Sequence, residues 1–468
     1  MSLTEFPQDL LLEVANQLDI GDLVNFLSLC RVIRELQLHR ILWLNALARI
    51  KTVELQPLPV SNLQELSLAQ LQRTARQTAR LLTNFKSESP RPTHIRSFSI
   101  EPDQEMMCIP GTSLLVTSNI GIVSCWDITT AQRVAHLELA DLRLQIKASC
   151  VEPEGKVLIP GRIGRSFLSM RNLTVVCVDF RDRASITISH TISRATTKEL
   201  DYFPHSHFFL DSRVLGFCTK TSIISWGLDS DGEINVKAQE NCCPPSTPTP
   251  RCLLFGKRLY MLHKGASLER VAIYSVPFWP AIDRQTNAID DALEPPISTV
   301  LPLPYPPFPD LEQLLIAQGF SSRSYHSDHV SVPEFGIFAV TCTDLARTKA
   351  VIHFWPGSID TALGMLSFEP SCVYGHPDMI DIIAVGSWGT YVAFIAHEVP
   401  TDESMPGADA PYLGLLHFSP TPSPHTTFRK LDVGDASLSN FYDLDFDESL
   451  GLVVVADNLG NLTAISYV

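Results

Sequence analysis

From His94 onward one kind of segment keeps returning, a short β-branched and aromatic run bounded by turn residues. The pattern aligns SCWDI at Trp126, VVCVDF at Val178, IISWGL at Trp226, VAIYSV at Tyr274, IHFWPG at Trp355, GLLHFS at Phe418 and TAISYV at Ser466. The intervals are 52, 48, 48, 81, 63 and 48 residues. A lone strand cannot bury its apolar face, and a repeat of about 50 residues suits a four-stranded antiparallel sheet stacked on copies of itself. The spacing predicts an all-β propeller of seven blades, with six or eight as the alternatives.

The clearest unit, Thr112 to Leu139, reads as three strands separated by the turns NIG and TTAQ. Ile382 to Ala396 is too short and too broken by Gly386 and Gly389 to span a membrane, and reads as two buried strands around a turn. The chain ends on what would be the third strand of its last blade. His94 to Ile100 is therefore predicted to supply the missing outer strand and lock the ring, removing its free edges. The first long interval contains the proline-rich segment Glu294–Gln313 and the second residues 400–411, and these, with the proline-rich Ser419–Phe428 just beyond the Phe418 strand, are predicted to be loops.

Before His94 the periodicity is helical. Leu11, Val14 and Leu18 share a face, and Leu23, Phe26, Leu27 and Cys30 share another after a turn at Asp19 to Asp22, with Asp22 placed to cap the second helix. Leu38, Ile41, Leu42 and Trp43 predict a further turn or helix. After Pro57 and Pro59, an amphipathic helix sets Leu68, Leu71, Ala75, Leu82 and Phe85 against Arg73, Arg76 and Arg80, a basic stripe read as a solvated face. The predicted organisation is multidomain: a small all-α unit over 1–52, a linker with its helix over 53–92, and the propeller over 93–468.

Residues 1–95 are nearly neutral, so the net charge of −15 lies almost wholly in the predicted propeller. Such a surface repels phosphate backbones, which argues against nucleic acid as a partner and weakly favours basic protein segments. The start MSLTEFPQDLLLEV has acids where a secretory signal needs a basic patch and an unbroken apolar run. With eleven scattered cysteines, an odd number, this predicts reduced thiols, a cytoplasmic or nuclear location and no membrane association. The Asn-x-Thr triplets at Asn172 and Asn461 are then read as chance.

Signals for catalysis are weak. Cys242, Cys243 and Cys252 lack the spacing by which paired thiolates hold zinc. Asp229, Asp231 and Glu233 lack the remaining ligands of a calcium loop, and Asp231-Gly232 reads better as a hairpin turn. His205, His207 and His376 stand apart from other ligand types. Thr247, Thr249, Ser419, Thr421 and Ser423 each precede a proline and are weak phosphorylation candidates. No catalytic residue, metal or cofactor is predicted, and the chain is read as a non-enzyme.

The N-terminal unit resembles an F-box. The resemblance lies in Phe6-Pro7, Asp9-Leu10-Leu11, Val14, Leu18, Asp22-Leu23, Leu29-Cys30-Arg31, Ile33-Arg34 and Leu42-Trp43, with Phe6 and Leu29 replacing the usual leucine and valine. It implies that Pro7, Leu10, Leu11, Val14, Leu18, Leu23, Phe26, Leu29, Cys30, Leu42 and Trp43 serve binding of a Skp-type adaptor, some as contacts and some as core. It further implies cullin and RING partners reached through the adaptor, with the propeller holding a protein substrate. The arrangement is also similar to F-box proteins with WD-repeat-like propellers, although Trp126-Asp127 alone reproduces the Trp-Asp pair. Two other readings stay open: an F-box and adaptor complex with a structural or regulatory role outside ubiquitination, and a propeller that binds or processes a small molecule.

Overall fold

Among the described residues, helices form the N-terminal stretch and strands the regular structure after it. The computed structural model describes residues 6–50 and 63–102, most of 104–195, strand segments between 207 and 376, and 378–468 apart from 387–390, 399–410, 420–424 and 439. The helices are α1 (Gln8–Gln17), α2 (Ile20–Ser28), α3 (Arg31–Glu35), α4 (Arg40–Arg49) and α5 (Leu68–Lys86). Helix α2 is capped by Asp19, not by Asp22: Asp19 is extended and its carboxylate accepts the Asp22 backbone N–H at 2.7 Å. The reason is register, since Ile20 already lies inside the helix and Asp22 is its third residue. Helix α5 opens on a capping box, with the Gln70 N–H donating to the Ser67 hydroxyl and the Ser67 N–H donating to the Gln70 side chain.

Among the described residues the strands form seven antiparallel sheets. The first runs Glu105–Cys108, Leu114–Asn119, Ile122–Asp127, Gln132–Glu138 in spatial order. The repeat found in the sequence has a definite structural meaning. Ile122–Asp127, Asn172–Asp179, Ser222–Gly227, Arg270–Pro277, Ala350–Asp360, Pro411–Ser419 and Asn461–Ser466 all stand third in their own sheets.

Successive sheets stack face to face over apolar layers. Val116 and Val123 of the first sheet meet Val157 and Val176 of the second, which in turn joins the third around Cys177, Phe208 and Leu215. The sixth and seventh share Ala393, Leu415, Leu444 and Val453. The seventh returns to the first through Val454, Leu462, Met106 and Leu115. The first strands of neighbouring sheets adjoin, as Met379–Val385 beside Phe441–Asp447 and Phe441–Asp447 beside Glu105–Cys108. This is the radial arrangement of a propeller.

Ring closure follows the sequence prediction. His94–Ser99 adds an antiparallel outer strand to the seventh sheet, from His94 opposite Ser466 to Ser99 opposite Asn461. A second lock lies at the inner edge. In Phe441–Asp447 the alternating Leu444 and Phe446 enter the core, while Asp443, Asp445 and Asp447 face the first sheet. Their carboxylates accept backbone N–H groups from Met106, Cys108 and Gly111 respectively. Charge-assisted bonds of this kind bind two blades where no β-ladder runs between them.

Two loop predictions are corrected. Ile297–Pro302, inside the first proline-rich segment, is the outer strand of the fourth sheet, and His425–Lys430, overlapping the second, is the outer strand of the sixth. Proline is tolerated at strand ends and on edge strands, where its missing N–H breaks no interior ladder, so the prolines bound these strands without forbidding them. Residues 400–410 lie outside the described residues.

Candidate functional site

The helical unit is built round Leu11, Ala15, Ile20, Leu23, Leu27, Ile33, Leu36, Leu42, Trp43 and Leu47. Trp43 is fully buried in this core and its indole N–H donates to the Gln37 carbonyl at 2.8 Å. Four residues expected at the adaptor site, Leu11, Leu23, Leu42 and Trp43, are thereby at most 2% exposed and hold the unit together. Leu18, Phe26 and Cys30 are half-buried against the same core.

The remaining four point outward: Pro7, Leu10, Val14 and Leu29. Leu10 and Val14 lie one turn apart on α1 and are 49% and 48% exposed, and Leu29 is 66% exposed. Phe6, Val32, Leu38 and Ile41 join them as exposed large apolar side chains. None of these four was assigned to the site by sequence, although Phe6 stands in the F-box-like pattern and Leu38 and Ile41 were counted on the apolar side of a helix. They fall on the other side because α4 begins at Arg40, which turns Leu42 and Trp43 inward and Ile41 outward. A bond between the Gln8 amide and the His39 ring, 2.9 Å long, ties the start of α1 to the start of α4.

Of the twelve large apolar residues exposed among the described residues, seven lie between Phe6 and Ile41. Scattered exposed aliphatics are ordinary on a surface, but so many on one small unit are unusual for a surface left in water.

Helix α5 does more than link. Leu71, Ala75, Ala79 and Leu82 are part of the helical core, while Leu81 and Phe85 belong to the apolar layer between the sixth and seventh sheets. The Phe85 ring lies 5.7 Å from Tyr391 and 6.0 Å from Tyr467. The Asn84 amide donates to the carbonyls of Tyr467 and Arg91, and its oxygen accepts the Arg91 N–H. Leu81 packs on Gly451, whose φ of +58° and lack of a Cβ make room for it. Arg73, Arg76 and Arg80 face solvent as predicted, with Arg76 donating to the Gln37 side chain.

Within the propeller, the Trp126 indole donates to the Thr117 hydroxyl and its ring lies against Phe98 of the closing strand. Partial burial pushes the Asp127 carboxyl upward, yet bonds from Thr129 and its neighbours outweigh this and hold it below the usual aspartate range. Burial lifts the adjacent Cys125 thiol to about 12, with the Asp127 charge adding to the effect.

Among the described residues no group of three or more His, Cys, Asp or Glu side chains is placed to hold a metal. Cys252, Glu233, His207 and His376 lie in strands, and Ser419 ends one. Cys242, Cys243, Asp229, Asp231, His205, Thr247, Thr249, Thr421 and Ser423 lie outside the described residues. The strands flanking Asp231-Gly232 pair antiparallel, as a hairpin requires. No described helix is long and apolar enough to cross a membrane.

No family model matches the chain, and no curated protein matches it. Among solved structures it is similar to the β-propeller domain of Cps50 (Swd1) from Myceliophteria thermophila, at 10% identity and a TM-score of 0.46, covering 80% of this chain and 99% of that one. It is also similar to the WD40 domain of SCAP from fission yeast, at 8% identity and a TM-score of 0.40, covering 76% and 82%. A chain of the mitotic checkpoint complex matches at 8% identity and a TM-score of 0.42, covering 81% and 93%. The class to which this molecule belongs rests on its own topology: a β-propeller carrying an N-terminal helical unit.

Proposed function

We propose that this chain is the substrate-recognition subunit of a Skp-cullin-F-box ubiquitin ligase, non-catalytic and working in the cytoplasm or nucleus. The observation that carries the reading is the exposed apolar surface of the helical unit, where Phe6, Leu10, Val14, Leu29, Val32, Leu38 and Ile41 stand in solvent over a satisfied core. These residues overlap the pattern in which the unit resembles an F-box. A Skp-type adaptor covers that surface, and through it the cullin and RING subunits are joined. Helix α5, shared by both cores, holds the propeller at a set distance and angle from the adaptor. A receptor of this kind acts by proximity, raising the effective concentration of substrate lysines at the conjugating enzyme.

The test separates contact from core. Leu10→Ser with Val14→Ser changes only exposed side chains and is expected to abolish co-purification with a Skp-type adaptor while leaving the fold intact. Leu23→Asp buries an unpaired charge at about several kcal/mol and is expected to unfold the helical unit first. Wild-type adaptor binding by the Leu10/Val14 variant would overturn the assignment of this surface.

A further inference from the structure

Two turns of the propeller repeat one another. Asn119-Ile120-Gly121 joins the second and third strands of the first sheet, and Asn458-Leu459-Gly460 joins the second and third strands of the seventh. Both glycines have φ of +83°. This is a left-handed conformation that glycine adopts without strain, and each turn lifts the aliphatic before it into solvent. Ile120 is 60% exposed and Leu459 69%.

The two tips are joined through one segment. The Ile100 N–H donates to the Gly460 carbonyl at 2.7 Å, and the Asn119 amide donates to the Pro102 carbonyl at 3.0 Å. Tyr442 adds a third exposed apolar group, 44% exposed, at the register shift between Phe441 and Asp443. It stands next to this corner because Phe441 pairs with Asp457 and the Asn458 N–H donates to the Asn440 carbonyl.

The border is acidic. Glu101, Glu105, Glu138 and Asp141 lie at this end of the first sheet, Glu105 opposite Ser118 and Asp141 within the Leu139–Leu142 turn that bonds Gly121, against Arg143 one residue beyond that turn. Arg133 pairs with Trp126 at the far end of its strand, whereas Glu138 pairs with Ile122 beside the Ile120 tip. Glu101 is exposed on the bridging segment itself.

The corner is also on the right face. Helix α5 meets the seventh sheet at Gly451 and at the Tyr467 carbonyl. Strand Leu452–Asp457 runs from there to the Asn458–Gly460 turn, about 17 Å away at the rise of a β-strand. The helical unit and this corner therefore occupy opposite faces of the propeller.

From these placements we infer that the corner formed by Ile120, Leu459 and Tyr442 docks a protein segment presenting apolar side chains next to Lys or Arg. The inference rests on the receptor reading for its biology, and names the substrate class of that receptor, but its physics is independent of the adaptor. A random peptide display library is selected on the full chain, with counter-selection on the Ile120→Ser/Leu459→Ser variant. Individual peptides are then titrated by fluorescence anisotropy. Enriched peptides are expected to combine aliphatic or aromatic residues with Lys or Arg. They should bind the double variant about tenfold or more weakly, and Glu101→Gln/Glu138→Gln should weaken them further at low salt than at high salt.

Peptides that bind wild type and the Ile120/Leu459 variant alike, an acidic consensus, or no enrichment would overturn the docking site. Because no adaptor is present, peptide binding with failed adaptor capture would sink the receptor reading and leave this site standing.

Discussion

Removing the Phe85 ring should loosen the propeller's grip on its helical unit. The side chain is 6% exposed and lies between Tyr391 and Tyr467 in the layer shared by the sixth and seventh sheets. A Phe→Ala change at a buried site costs about 3–5 kcal/mol through lost transfer free energy and the cavity left behind. Two rigid tyrosines and the strands carrying them line this site, so collapse into the cavity is limited and the upper half of that range is expected. Leu71→Ala serves as the control, because Leu71 is also buried but belongs to the helical core alone. Thermal unfolding followed by near-ultraviolet circular dichroism should show Phe85→Ala lowering the propeller transition. Limited proteolysis should show faster cleavage between Ser87 and Thr93. Leu71→Ala should weaken the helical unit and leave the propeller transition in place. A Phe85→Ala protein with wild-type melting and wild-type protease resistance would refute the claim that α5 is part of the propeller core.

Other outcomes follow from the same contacts. Gly451→Ala forces a Cβ to within 2.3 Å of the Leu81 side chain at a positive φ, and should cost about 1–3 kcal/mol, read by chemical denaturation. Cys125, its thiol raised to about 12 by burial, should resist iodoacetamide in the native protein at pH 8 and react once the chain is unfolded, as mass spectrometry would show. Asp127 titrates below the ordinary aspartate value of about 3.9, so its ionised form is favoured by folding. Its contribution is present above that pH and lost as pH falls through the lower, folded value. Asp127→Asn should therefore lower stability at neutral pH, change it little at low pH, and so flatten part of the acid limb of the stability profile.

The propeller was legible because its repeat is periodic over most of the chain, and every segment aligned by that repeat occupies the same strand position. The closing strand was legible for the same reason: a missing fourth strand leaves a gap that a stray β-run must fill. Outer strands were the weak point. Ile297–Pro302 and His425–Lys430 carry or adjoin prolines, and edge strands tolerate what interior strands do not. In the helical unit, the periodicity found the core but not its outline. Val14, placed with Leu11 on one face, is exposed while Leu11 is buried, because the apolar stripe of α1 is wider than its contact with α4. The aspartate seam was missed, although its signal is plain: acids at every second position of a strand whose other positions are apolar mean that both faces of that strand are in use. Finally, helix α5 looked like a linker because amphipathicity shows that one face is covered without showing by how many partners. Leu81, absent from the predicted face, is the residue that reveals the second core.

The account turns on the exposed apolar surface of the helical unit. The direct measurement is isothermal titration calorimetry of the full chain with a purified Skp-type adaptor, alongside the Leu10→Ser/Val14→Ser variant. The account predicts a one-to-one complex with a negative heat-capacity change from apolar burial, and its loss in the variant. No heat of binding with the wild-type chain, or equal affinity in both proteins, would contradict it.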